Sequence, residues 1–348
     1  MRKPLIALLA LLLVLLVPGT ALAKTRTDRV ISDPRILESS GLAPSLLHDG
    51  VLWTHNDSGN PNQIYAIAKN GSTAAAVTIA GEDARDWEAI TSWRDADGRA
   101  LIAIGDIGDN NAKHDYVRIA IIREPENLTD MTVQPIRVLR LTYPGGPRDA
   151  EALLADPRTG RLYVVSKTLF GSEVFVVPTQ VWPGGTGVSR ITRMTRVART
   201  GAALVTDGAF LPDGNMLLRG YGNQSVIAAP ETAEDGSLDT LASQALPDQE
   251  QGESIAVVDD GAYALIGSEG EDQPVLRVRV PSYAVETAAP TSSSAETTSG
   301  TTETLRTLTG DDNRLRLLIG AGGAVVVMVV LFSAAIMLRP SHSRRRRR

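Results

Sequence analysis

The chain has no cysteine among its 348 residues. That excludes a disulfide framework and any thiolate zinc site. A domain of this size buries enough surface to fold without such staples. Aromatic residues make up only 4%, too few to pave a sugar-stacking groove. Histidine is scarce as well: only His48, His55 and His114 fall in the main domain. There is no Gly-x-Ser-x-Gly elbow either, so a Ser-His-Asp triad has little support. No phosphate loop or dinucleotide fingerprint occurs. Away from the two ends, no segment keeps a helical period. What is present is 43% hydrophobic and 22% charged, an ordinary globular balance.

The two ends read as membrane signals. Arg2 and Lys3 precede the apolar run Leu5 to Val17, Pro18 and Gly19 break it, and Ala21-Leu22-Ala23 forms a cleavage site. Residues 1–23 are therefore expected to be a signal peptide. At the other end Leu317 to Leu338 is uncharged and long enough to span a bilayer of roughly 20 residues' depth. We expect a transmembrane helix over 315–338 and a basic cytoplasmic tail over 339–348, where Arg344 to Arg348 obey the positive-inside rule. The residues before the span lack the Leu-Pro start of a sortase pentapeptide, which favours a simple anchor. Residues 286–314, rich in Ser and Thr, are expected to form a flexible stalk. The expected placement is a single-pass protein of the cell membrane, its domain extracytoplasmic and its C-terminus cytoplasmic.

Charge divides along the same lines. Residues 24–310 hold 25 of the 35 Lys and Arg and 38 of the 40 Asp and Glu, a formal balance of −13. An acidic outer domain argues against nucleic acid as a partner. It suits cation binding or solubility.

The domain, residues 24–285, repeats one hairpin. The clearest copy runs from Asp149 through Glu151-Ala152-Leu153-Leu154, turns at Asp156 to Gly160, and returns along Leu162 to Lys167. Four further copies begin at Ser40, Glu88, Asp207 and Glu253, recurring roughly every 45–65 residues. Each turn ends in Gly, which supplies the positive φ a tight hairpin needs. The residue after each starting position is Gly, Ala or Ser, as crowded inner strands require. Further strands follow, among them Tyr116 to Ile122, Ile136 to Leu141 and Ile191 to Val197. The fifth unit lacks a fourth strand, and Arg29-Val30-Ile31 is placed to supply it. This predicts an all-β, five-bladed β-propeller whose N-terminal strand closes the last blade.

In a propeller the starts of the inner strands and the ends of the second strands share one rim. Glu88, Glu151, Asp207 and Glu253 come from the starts and are the candidate catalytic residues. His55, Asn56, Lys167, Arg219 and Tyr221 come from the ends and are the candidate substrate-binding residues. The oxygen-rich loops Asn56-Asp57-Ser58-Gly59-Asn60 and Asp106-Ile107-Gly108-Asp109-Asn110 make Asp57, Asp106 and Asp109 the candidate metal ligands, with calcium the expected ion. Lys167 and Arg219 would suit a small anion such as phosphate. The structural alternative for the acids is bonding to loop N–H groups; for the cations it is pairing with those acids.

The runs Trp53-Thr54-His55-Asn56-Asp57-Ser58-Gly59, Asp86-Trp87-Glu88-Ala89-Ile90, Gly105-Asp106-Ile107-Gly108-Asp109-Asn110, Asp149-Ala150-Glu151-Ala152-Leu153 and Gly252-Glu253-Ser254-Ile255-Ala256 carry a resemblance over residues 35–280. The chain resembles a family of secreted actinobacterial propellers, often labelled WD40-like or phytase-like. The resemblance implies a propeller and raises the expectation of a calcium and phosphate site. It fixes no reaction: calcium-dependent β-propeller phytases have six blades and a ligand set that finds no residue-by-residue match here. Two functions follow as expectations. One is a metal-assisted hydrolase of a phosphate ester or related ester; the other is a non-catalytic surface module binding a cell-wall component or a partner protein.

Overall fold

A computed structural model describes residues 25–81 and 83–284. The expected signal peptide, stalk, transmembrane helix and basic tail lie outside the described residues. Among the described residues no helix is long and apolar enough to cross a membrane.

Strands in chain order build five sheets. The chain opens with β1 (Arg26–Val30), then runs through blade 1: β2 (Ser39–Pro44), β3 (Leu52–Asn56), β4 (Gln63–Ile67) and β5 (Thr73–Ile79). Blade 2 holds β6 (Trp87–Arg94), β7 (Ala100–Asp106), β8 (Val117–Arg123) and, after the short β9 (Met131–Val133), β10 (Arg137–Thr142). Blade 3 holds β11 (Ala150–Ala155), β12 (Leu162–Ser166), β13 (Ser172–Val176) and, after β14 (Gly187–Arg193), β15 (Thr195–Thr200). Blade 4 holds β16 (Val205–Phe210), β17 (Met216–Gly220), β18 (Asn223–Ile227) and, after β19 (Ser237–Leu238), β20 (Thr240–Ala245). Blade 5 holds β21 (Ser254–Val258), β22 (Tyr263–Gly267) and β23 (Pro274–Arg279), and β1 pairs antiparallel with β23 as its fourth strand. The expected five blades, and their closure by the N-terminal strand, are what the chain adopts.

Three sheets carry a fifth strand that the sequence reading did not foresee. β9 lies parallel to β5, β14 to β10 and β19 to β15. Each is drawn from the connection between the third and fourth strands of the next blade, so neighbouring blades are strapped at their outer edges. The expected single strand Ile191 to Val197 is therefore two. Its first half belongs to β14 on blade 2 and its second to β15 on blade 3, with buried Met194 between them.

Apolar burial holds the ring. Five hydrophobic clusters appear among the described residues, one at each seam between blades. Trp53, Ile64 and Val77 of blade 1 pack with Trp87, Ile90 and Ile104 of blade 2, for example. Leu42 and Tyr65 pack with Leu265 and Val275 where the ring closes. At roughly 1.5–3 kcal/mol for each large buried side chain, these seams dominate the favourable side of folding. The closure is tight. Gly71, at φ 88° in the Asn70-Gly71 turn of blade 1, stands so close to the Val30 carbonyl of β1 that a side chain there would overlap it.

Candidate functional site

Register decides which side chains reach the mouth of the ring. In blade 2, Trp87 faces Asp106 and Ala89 faces Gly105, so Glu88 is the extra residue of a bulge. The same slip isolates Ser40 in blade 1, Glu151 in blade 3 and Thr206 in blade 4. In blade 5, Ser254 faces Gly267 and Glu253 comes just before it, at the equivalent position. A bulge re-aims its extra side chain. The ring of equivalent positions is thus Ser40, Glu88, Glu151, Thr206 and Glu253. Glu88, Glu151 and Glu253 are each buried; Glu151 raises the proton affinity of Glu88, and Glu253 raises that of Glu151.

Asp207 does not belong to that ring. It lies one residue further on, at the position Ala89 and Ala152 hold in their blades. Its carboxylate is fully buried and accepts N–H bonds from Ile255 at 2.8 Å and Gly208 at 2.7 Å. Burial pushes its pKa well up, partly offset by those bonds and by Arg219. Arg219 is buried alongside. It donates to the Ser254 and Gly267 carbonyls at 2.6 and 2.8 Å and to Gln249 Oε1 at 2.7 Å. The two side chains sew blade 4 to blade 5; the structure places neither at the open mouth.

Two other expected groups are also taken up in the walls. His55 is buried, bonded through Nδ1 to the Asn56 carbonyl at 2.9 Å and edge-on to Trp87. Burial lowers its pKa to about 4, so it is neutral at physiological pH. Asn56 ties the entry of blade 1, accepting from Glu38 N at 3.1 Å and donating to the Arg35 carbonyl at 2.7 Å.

The expected metal ligands separate in the same way. Asp106 accepts from Asp86 N at 2.8 Å and pairs with Arg85 and Arg118. Asp109 accepts from Lys113 N at 2.8 Å and His114 N at 3.0 Å, and its own N–H donates to Asp149 at 2.9 Å. Both carboxylates organise the Asp106–Asn110 loop. Asp57 instead meets Asp86 and Glu88: one oxygen from each lies within 4.8 Å of the others. That spacing suits a hard cation bonded to oxygens at about 2.3–2.6 Å.

The chemistry of this trio fits an ion. Glu88 is 5% exposed, and no hydrogen bond or ion pair reaches its carboxylate among the described residues. Burial first, then Glu151, Asp57 and Asp86, push its pKa far above the usual carboxylate range. Asp86 is lifted to about 6 by burial and by Asp57. Asp57 is lifted by burial and, among its neighbours, by Glu38. Gly108 lies against Glu88 Oε1 and the Asp86 carboxyl so closely that a Cβ would overlap both.

The sequence reading missed Asp86 as a ligand. The signal was there in the repeated spacing Asp86-x-Glu88 and Asp149-x-Glu151 at the entry of two inner strands.

Beside the trio, the Lys167 ammonium pairs with Glu151 and donates to Tyr221 Oη at 2.9 Å. Burial alone lifts Glu151 and lowers Lys167; their contact pulls each back toward its charged form. Glu151 outweighs burial at Lys167, whose pKa is raised overall, and the contact favours the ion pair. Glu269, joined to Gln251, is raised to about 8 by burial and by Glu253. Glu253 is raised chiefly by burial.

Fold and mouth together define the class: a five-bladed β-propeller with a carboxylate-lined opening. No protein-family profile and no curated protein matches the chain. Two solved structures are similar to it at 11% identity and a TM-score of 0.35: the Dos1 propeller and the Kuenenia stuttgartiensis hydrazine synthase. The alignments cover 67% of this chain and 57% of the first, and 69% of this chain and 74% of the second. The chain thus spans less than two thirds of the Dos1 propeller, and a likeness this distant carries no argument about activity. No family is assigned to the chain.

Proposed function

We propose that the mouth is a divalent-cation site, with calcium the expected ion, and that it recognises an anionic ligand on an extracytoplasmic, membrane-anchored propeller. One observation carries the reading: a buried, unpartnered Glu88 carboxylate shares its space with Asp57 and Asp86. Three carboxylates so placed repel one another unless a cation or protons neutralise them. A bound ion would supply positive charge and open coordination positions for the oxygens of a phosphate, carboxylate or wall polymer. Asp57, Asp86 and Glu88 would hold it, and Gly108 would keep the space clear.

A second reading, ester hydrolysis, is favoured by the Glu151–Lys167–Tyr221 chain beside the trio. It offers a carboxylate of raised proton affinity next to a fixed ammonium. That is a base and an electrostatic partner in one place.

The test is thermal melting and ester turnover of the purified chain with calcium or EDTA, in native form and as Asp86→Asn. At a hundredfold excess over Kd, calcium should stabilise by about 2.7 kcal/mol, roughly 5–10 °C of Tm, and Asp86→Asn should lose the shift. A Tm indifferent to calcium would remove the cation site. Calcium-dependent melting without turnover would leave the binding reading and discard hydrolysis.

A further inference from the structure

The second charged cluster lies away from the mouth's carboxylates and has the opposite sign. Glu173 on β13 is buried, and three arginines converge on its carboxylate. Arg148 donates through Nε at 2.8 Å, Arg196 through a terminal nitrogen at 2.8 Å, and Arg199 at 3.2 Å. These contacts hold Glu173 down at about 2, against the opposing effect of burial. The cluster therefore keeps a net charge of two positive units across the whole physiological range.

One guanidinium is enough to satisfy a carboxylate. Here the Arg196 and Arg199 side chains are 50% and 66% exposed, with donors left over. They sit in a domain whose overall balance is strongly negative.

A cleft of about 520 Å³ opens beside them, lined by Pro144, Gly145, Arg148, Met194, Thr195 and Arg196. Arg148 is fixed in position, bonded to the Gly146 and Pro147 carbonyls at 3.3 and 3.0 Å as well as to Glu173. The sequence explains the convergence. Arg196 and Arg199 stand on β15, which pairs with β13 so that Arg199 faces Glu173. Arg148 ends the Pro144–Pro147 turn just before β11. Arg193 lines the neighbouring cleft, but Asp109 and Asp115 line it too, so it adds no uncompensated charge.

We propose that the cleft lined by Arg148 and Arg196, with Arg199 joined to them through Glu173, binds a doubly charged oxyanion, a phosphoryl group above all. Guanidinium forks match such oxygens in both geometry and charge. Two sources share that chemistry: a soluble phosphate ester and the headgroup of an anionic lipid. The chain holds a feature that separates them. Three residues before Glu173, the β12–β13 connection exposes Leu169 and Phe170, the latter at 89%. An apolar tip close to a basic cluster is the composition of a lipid-surface contact. This inference does not rest on the cation site.

The experiment uses residues 24–285, which hold all five blades and the closing strand β1 but not the expected membrane span, in EDTA, so that neither an anchor nor the mouth plays a part. Inorganic phosphate and glycerol 3-phosphate are titrated calorimetrically. Flotation is run with phosphatidylcholine vesicles, with and without phosphatidylglycerol. We expect binding that weakens with salt and falls about tenfold or more for each arginine removed, read in Arg196→Gln and Arg199→Gln. Both residues are at least half exposed, so the variants should fold. Asp57→Asn should bind phosphate as the native chain does. Phosphatidylglycerol-dependent flotation lost in Phe170→Ser would identify a lipid source; soluble binding indifferent to Phe170→Ser would identify a free ester. No heat with either phosphate together with no flotation would overturn the proposal, as would unchanged affinity in the two arginine variants.

Discussion

At the scale of single residues, a carboxylate left without a partner separates the working acids from the wall acids. The Asp106, Asp109 and Asp207 carboxylates are each bonded within the fold, and Arg219 is bonded through both terminal nitrogens, its Nε alone lacking a partner. Glu88 has none, and it faces two other acids. Gly108→Ala puts a methyl group against Glu88 and Asp86. Calcium affinity in a titration should fall at least tenfold while the melting temperature in EDTA changes little. Lys167→Met strips Glu151 of its ion-pair partner. The expected loss is about 3 kcal/mol at pH 8, shrinking toward pH 5 because Glu151 then takes up a proton; urea unfolding at the two pH values measures it. The sequence made the carboxylate convergence legible through strand direction alone. It could not show that Asp207 sits one residue out of step. A bulge sets that offset, and Asp207-Gly208 resembles Glu151-Ala152 letter by letter.

At the scale of elements, the hairpins were readable because each carries its own local signal: a Gly turn between two apolar runs. The closing role of β1 was readable because the fifth unit was one strand short. The outer straps were not. β9 and β19 are three and two residues long, partly or fully exposed at most positions, and owe their pairing to a neighbouring blade. Two consequences follow for the seams. Arg219→Leu leaves the Ser254 and Gly267 carbonyls of blade 5 unpaired and uncovers the Asp207 charge. It should cost about 3–5 kcal/mol, seen as an earlier denaturant midpoint. Removing residues 26–30 from the chain takes away the fourth strand of blade 5 and exposes the edge of β23. Proteolysis should then begin in blade 5, whereas the native ring resists.

At the scale of the whole molecule, the mouth couples ion binding to protonation. Asp86 is raised to about 6 and Glu269 to about 8, so the folded state holds protons that the unfolded chain would release. Stability contributed by such groups is present at low pH and is lost as pH rises through those values. In EDTA, Tm should decline from about pH 4 up to pH 8, most steeply below pH 6 where both groups contribute; with calcium present the decline should flatten, because the ion replaces the protons.

The measurement that bears most directly on this account is calorimetric titration of calcium into the chain at pH 7, repeated in buffers of different ionisation enthalpy. The account predicts a site at Asp57, Asp86 and Glu88, release of protons on binding, and loss of both signals in Glu88→Gln. Calcium that binds without proton release and equally well in Glu88→Gln, or that does not bind at all, would contradict it.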